Sequence, residues 1–211
     1  ESFDDVQKAI SFAMTSFFTT GGIRGGKNQM EKFKPRTFNM GFSRAVYEKV
    51  GCFKDMFGED IDLSIRISAA GFRTTLYQNN FVYHKRRVNF CKFFKQINQF
   101  GTARINLAIL HKGSLKAVHA APAVLLVGLF IIVLLSIFYS LIWIIFPAFY
   151  ALLLFVSALI QTKKLKTAFL ALWASFIQIT AYGTGFLKSF FQKIILKKGL
   201  ENSETLKKIY K

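Results

Sequence analysis

Between Ala117 and Thr162 the chain contains no Asp, Glu, Lys or Arg, and its one imidazole there is His119. An uncharged run of that length excludes an ordinary water-exposed surface and leaves a membrane segment. Acid is scarce elsewhere too: 11 Asp and Glu stand against 29 Lys and Arg, a formal charge of +18. Residues 1–116 carry 19 basic and 9 acidic side chains, whereas residues 117–211 carry 10 and 2. The first part therefore reads as a mixed polar domain, the second as membrane with basic flanks. Cysteine is nearly absent. Cys52 and Cys91 lie far apart, and no Cys-x-x-Cys or Cys/His pair has zinc spacing. That excludes a metal–thiolate site and leaves two buried free thiols as the expectation. The sequence starts at Glu1 with no signal-peptide pattern and no purification tag, so a chain lacking its first portion is expected.

What is present is ordered along the chain. Ser2 to Phe18 has apolar residues at Val6, Ile10, Ala13, Met14 and Phe17, which is helical spacing. Gly21-Gly22 and Gly25-Gly26 then flank Ile23-Arg24 in a loop from Thr19 to Lys34, read as a flexible connector or a backbone able to approach a ligand. Arg36 to Phe42 has the look of a short strand. Ser43 is an N-cap candidate for a helix over 43–50 that Gly51 ends. A second helix is expected over 60–70, stopped by Gly71. Arg73 to Tyr83, with Thr74, Thr75, Leu76, Tyr77, Phe81 and Val82, leans toward a strand.

Val88 to Leu110 sets Phe90, Phe93, Phe94, Ile97 and Phe100 against Lys92, Lys95 and Arg104. That pattern fits a basic helix in the headgroup layer or a core helix of a soluble domain. Ala120 to Gln161 is too long for one crossing of a bilayer some 30 Å thick. It reads as a hairpin of two crossings with its turn between Tyr139 and Pro147. A softer apolar segment follows over 167–187. The bias of Lys and Arg puts 84–116 and 163–166 in the cytoplasm. A third full crossing would then put Lys188, Lys193, Lys197 and Lys198 on the other side, against that bias.

Gly58-Glu59-Asp60-Ile61-Asp62-Leu63-Ser64-Ile65-Arg66 packs three carboxylates into four positions. Structure alone accounts for them in one way: Glu59 and Asp60 suit a helix N-terminus, and Asp62 pairs with Arg66 four residues on. Chemistry accounts for them in another. His84, Arg86 and Arg87 follow one strand later. A carboxylate base, an imidazole and guanidinium forks suited to diphosphate are the parts needed for transfer from a nucleotide-activated donor.

The ordered series Asn39-Met40-Gly41-Phe42-Ser43-Arg44, Val50-Gly51-Cys52-Phe53, Gly58 to Arg66, Ala70-Gly71-Phe72 and Val82-Tyr83-His84 resembles the C-terminal half of a family 2 glycosyltransferase catalytic domain. Gln96 to Arg104, with Phe100-Gly101, is similar to the interfacial segment of membrane-attached, polysaccharide-building members, the succinoglycan-type enzymes among them. The resemblance covers Arg36 to Leu107 well and Glu1 to Lys34 loosely. It implies an α/β chain: the C-terminal part of a GT-A, Rossmann-like domain over 1–87, and an amphipathic basic interfacial helix over 88–116. Two or three transmembrane segments follow over 117–187, then a basic cytoplasmic or interfacial tail over 188–211.

The implied reaction is inverting transfer from a nucleotide-sugar to a lipid-linked or growing saccharide acceptor, at the cytoplasmic face of an inner cell membrane. Asp60 would be the base and Glu59 its helper. Arg86, Arg87, Gln96 and Arg104 would bind diphosphate or acceptor, and His84 would complete a divalent metal site, Mg or Mn. The family's metal-binding D-x-D belongs to an earlier strand; Asp60-Ile61-Asp62 has that spacing but precedes a helix. The donor-binding half is not in this sequence, so the chain alone is expected to be inactive. Cys52 stands where the family has the second glycine of Gly-Gly-Phe, which bears on the local turn. The rival readings are a non-catalytic basic membrane protein that binds anionic lipid or a partner, and a nucleic-acid binder. No nucleic-acid partner is expected, because much of the aromatic content lies in the membrane segments.

Overall fold

A computed structural model describes residues 3–20, 35, 37–77, 79, 82 and 86–198. The expected α/β fold does not form. The described residues are helical and contain no strand, so a Rossmann-like domain is not present in them. The strand expected at 36–42 is replaced by a 3₁₀ turn, Thr37–Asn39, and residues 72–77 have no regular structure. A strand is stabilised by its ladder partner, and β propensity without one is a weak force. Of the rest of the expected strand, residues 78, 80, 81 and 83 lie outside the described residues, as do the Gly21–Gly26 loop and the 199–211 tail.

The helices follow their local signals closely. Helix α1 (Asp5–Thr15) opens with a capping box. The Gln7 amide donates to Asp4 Oδ1 at 2.6 Å, and the Asp4 amide to Gln7 Oε1 at 3.2 Å. The helix expected to run to Phe18 breaks at Ser16 and resumes as α2 (Phe17–Thr20).

Helix α3 (Arg44–Val50) is capped by Ser43, whose Oγ accepts from the Val46 amide at 3.4 Å, and ends at Gly51 with φ 79°. A long cap bond sits at the weak end of such interactions. Ser43→Ala is expected to cost about 0.5–1 kcal/mol, read as a small fall in Tm; no fall at all would remove the cap from the account.

Helix α4 (Glu59–Ala69) closes through two backbone bonds, Gly71 N to Ser68 O and Phe72 N to Ile67 O, with Gly71 at φ 86°. Val46, Leu63 and Ile67 form the buried centre of the α3–α4 unit, with Met40, Phe42, Val50, Phe53 and Phe72 around it.

Helix α5 (Phe90–Leu110) is capped by Asn89. It is followed by α6 (Ala117–Phe138), a turn at 139–144, α7 (Ile145–Thr162) and α8 (Leu165–Phe190). The π-helical turn Phe191–Ile195 extends α8. The α6–α7 turn falls inside the window read from sequence. Three segments, Ala117–Phe138, Leu141–Thr162 and Leu165–Ile195, are long and apolar enough to span a membrane, and the chain is membrane-associated. Each of the first two, at 22 residues, is about 33 Å long, enough for the hydrocarbon core.

Helix α8 is the hub. Its Ala168, Ala171 and Ala174 pack in one cluster with Ala9, Ile10 and Ala13 of α1 and Leu154 and Ala158 of α7. Small residues let these backbones approach closely. At one end of α8, Thr167 donates to Asp5 Oδ1 at 3.0 Å, and Lys166 Nζ lies 3.5 Å from Asp5 Oδ2. The Thr167 bond holds the Asp5 carboxyl below its ordinary value, with Lys166 and Lys164 adding to the effect.

Helix α5 runs parallel to α8 along its second half. Asn98 Nδ2 donates to the Ala181 carbonyl at 3.0 Å, and Lys193 Nζ reaches Asn106 Oδ1 at 2.5 Å. Gly101 seats directly against the Tyr182 carbonyl and Gly185 against the Asn98 carbonyl.

Candidate functional site at the start of the acidic helix

Gly58, the N-cap of α4, adopts φ 91°, a conformation that suits glycine. A Cβ there would sit 3.4 Å from Leu107 Cδ1 and 3.6 Å from Ala103 Cβ. The start of α4 thus rests on the last turns of α5. Phe57 and Phe100, with ring centroids 5.4 Å apart, flank the contact.

The three carboxylates then divide. Glu59 is clamped: Oε1 accepts from Thr37 Oγ1 at 2.8 Å and Oε2 from the Gly58 amide at 3.1 Å. Asp60 is 8% exposed, and its Oδ1 accepts from the Ile61 amide at 2.8 Å. Its backbone carbonyl accepts from Ser64 Oγ.

Asp62 is fully buried and held on both oxygens. Arg66 Nε donates to Oδ2 at 2.8 Å, and His111 Nε2 lies 2.7 Å from Oδ1. Lys54 Nζ stands 4.0 Å from the same Oδ1. Burial pushes the Lys54 amine below its ordinary value; Asp62 works against that shift and Arg66 adds to it. Arg66 also donates to the carbonyls of Val50 at 2.6 Å and Cys52 at 2.8 Å. A carboxylate so occupied is a structural anchor.

The Asp62–Arg66 pair was readable from its spacing. His111, Lys54 and Thr37 were not singled out, and His111 lies 49 residues from Asp62 with no pattern linking them. Of the remaining expected site residues, Gln96 and Arg104 lie on α5, and Arg86 and Arg87 precede it. Arg87 Nε donates to Gln96 Oε1 at 3.4 Å near the start of that helix. Arg86 is directed at α1: its Nη1 lies 3.6 Å from Met14 Sδ, and its carbonyl accepts from Gln7 Nε2. Arg104 is half-buried beside Ala103, the residue that touches Gly58. From Gln96 to Ala103 is about 10 Å of helix, so the Arg87–Gln96 pair and the start of α4 mark two ends of one edge. His84 lies outside the described residues.

Cys52 and Cys91, expected in the interior, are both exposed. Among the described residues no three His, Cys, Asp or Glu side chains converge. Asp62 is committed to Arg66 and His111, and His84, the residue that the resemblance offers to a divalent metal, is not among the described residues. No family model, curated protein or solved structure matches the chain.

Proposed function

We propose that the start of α4 is the acceptor side of an inverting glycosyl-transfer site held at a membrane face. The observation that carries this reading is the placement of the Gly58 to Arg66 motif, with Asp60 in the first turn of α4 where that helix rests on α5. Asp62 is consumed by Arg66 and His111, and Glu59 by Thr37 and Gly58. Asp60, 8% exposed, accepts from the Ile61 amide and holds the position that the resemblance gives to the base. The resemblance of Gly58 to Arg66 to family 2 glycosyltransferases supports the same assignment. The site lies on a helix, and the expected sheet forms no part of it.

In the proposed reaction Asp60 takes the proton of an acceptor hydroxyl as that oxygen attacks the anomeric carbon of a nucleotide-sugar. The new C–O bond forms on the face opposite the departing nucleoside diphosphate, which inverts the anomeric centre. Glu59, fixed by Thr37, holds the helix start and orients the base. Arg86 and Arg87 supply cations for the diphosphate. The acceptor is lipid-linked or a growing saccharide, which suits a site packed on membrane-associated helices. The excess of Lys and Arg over 84–116 and 163–166 favours the cytoplasmic side of a cell membrane. The remaining donor contacts and metal binding fall to residues beyond those described.

Asp60→Asn in the complete protein is the direct test. Transfer of labelled sugar, assayed in membranes with a panel of nucleotide-sugars, is expected to fall about 10²–10⁴-fold, with folding and membrane retention intact. Unchanged transfer would remove Asp60 from the reaction. A wild-type protein silent with every donor, yet retained on anionic vesicles, would favour the non-catalytic lipid-binding reading.

A further inference from the structure

Helix α8 differs from the other two candidate spans in one respect. Half of its apolar window is buried in protein, against 11% for α6 and for α7. Parts of α6 and α7 pack on it, but most of the cover comes from α1 and α5, and both of these carry charge. Asn98 binds the carbonyl of Ala181, close to the midpoint of the 165–195 segment. Because α5 runs parallel to α8, its exposed Lys92 and Lys95 lie beside the middle of that segment. If α8 crossed a bilayer, these cations would sit near the hydrocarbon centre, where charge is strongly disfavoured. The ends are charged as well. Asp5 and Lys166 meet at one end; at the other, Lys193 binds Asn106, one residue before the Leu107 that supports the α4 knot.

The outer face of α8 is of another kind. Leu165, Phe169 and Trp173, spaced at i, i+4 and i+8, are 58–59% exposed. The Phe169 ring lies 4.8 Å from that of Phe155, so this stripe continues onto α7. Lys163 and Lys164 flank it on one side, exposed Lys197 and Lys198 stand at the far end, and residues 117–198 contain no acid. An apolar stripe with a Trp and cationic ends matches the headgroup–acyl boundary of an anionic leaflet.

We propose that α8 lies along the membrane surface without crossing it, its Leu165–Phe169–Trp173 stripe in the lipid and both basic ends on the side of α4. The chain then has two crossings, α6 and α7. The conflict between a third crossing and the positive flank at 188–198 disappears.

Single cysteines report sidedness directly. In a Cys52→Ser, Cys91→Ser background, Ser140→Cys, Lys164→Cys and Lys198→Cys are labelled with a membrane-impermeant maleimide in sealed vesicles of one orientation. The expected result is that Cys at 164 and 198 react from the same side and Cys at 140 from the opposite one. Reaction of 164 and 198 from opposite sides would overturn the proposal. Trp173 gives a second reading in a Trp143→Phe variant. Lipids brominated near the carbonyls should quench it most; strongest quenching by lipids brominated at the chain ends would also overturn it.

Discussion

Replacing Asp62 with alanine is expected to destabilise the protein by about 3–5 kcal/mol, the range seen when one partner of a buried ion pair is removed. The carboxylate is fully buried, with Arg66 at 2.8 Å, His111 at 2.7 Å and Lys54 at 4.0 Å. Arg66 would keep its bonds to the carbonyls of Val50 and Cys52. His111 and Lys54 would lose the carboxylate that they face. The damage should spread beyond α4, because His111 ends α5 and the pair ties the two helices together. A thermal melt in detergent, followed by circular dichroism, measures this. A Tm within error of the parent would show that the cluster is surface decoration.

The second large effect is expected where α5 meets α8. A Cβ on Gly101 would collide with the Tyr182 carbonyl and lie 2.8 Å from the Phe186 amide; one on Gly185 would collide with the Asn98 carbonyl. These neighbours are backbone atoms, which cannot swing aside as a flexible side chain does. Gly101→Val and Gly185→Val should each cost about 3 kcal/mol or more, at the upper end of overpacking penalties. Gly128 on α6 is the control, since nothing lies within 4 Å of its missing Cβ. Gly128→Ala should leave stability unchanged or slightly raised, as alanine favours helix more than glycine does. Equal Tm values for Gly101→Val and Gly128→Ala would contradict the close contact.

Signals carried within a few residues were legible in the sequence. Ser43 and Gly51 bound α3, Gly71 stops α4, the uncharged run contains α6 and α7, and Asp62 meets Arg66 four positions on. Signals that need a partner were not. Arg73 to Tyr77 has strand-forming side chains, but no other described segment offers it a ladder. The amphipathic stripe of α5 announced an apolar surface without saying which one. Phe93 and Ile97 face protein, in a cluster with α1, α7 and α8. At the acidic knot the helix start was readable, whereas the assignment of Asp62 to anchoring needed His111 from 49 residues away.

The hub position of α8 also sets an order of events during synthesis. Helix α1 ends at Thr15, and the alanines it packs on lie in a helix that begins at Leu165, roughly 150 residues later. At about 5–20 residues per second, α1 waits some 8–30 s before its partner exists. During that interval its apolar face is open to water or to a chaperone, and that of α5, which ends at Leu110, is open for about 3–11 s before α8 begins. The early helices of this chain are therefore guests for much of its translation, and the apolar hairpin α6–α7 can be delivered to lipid before either of them has a place to dock.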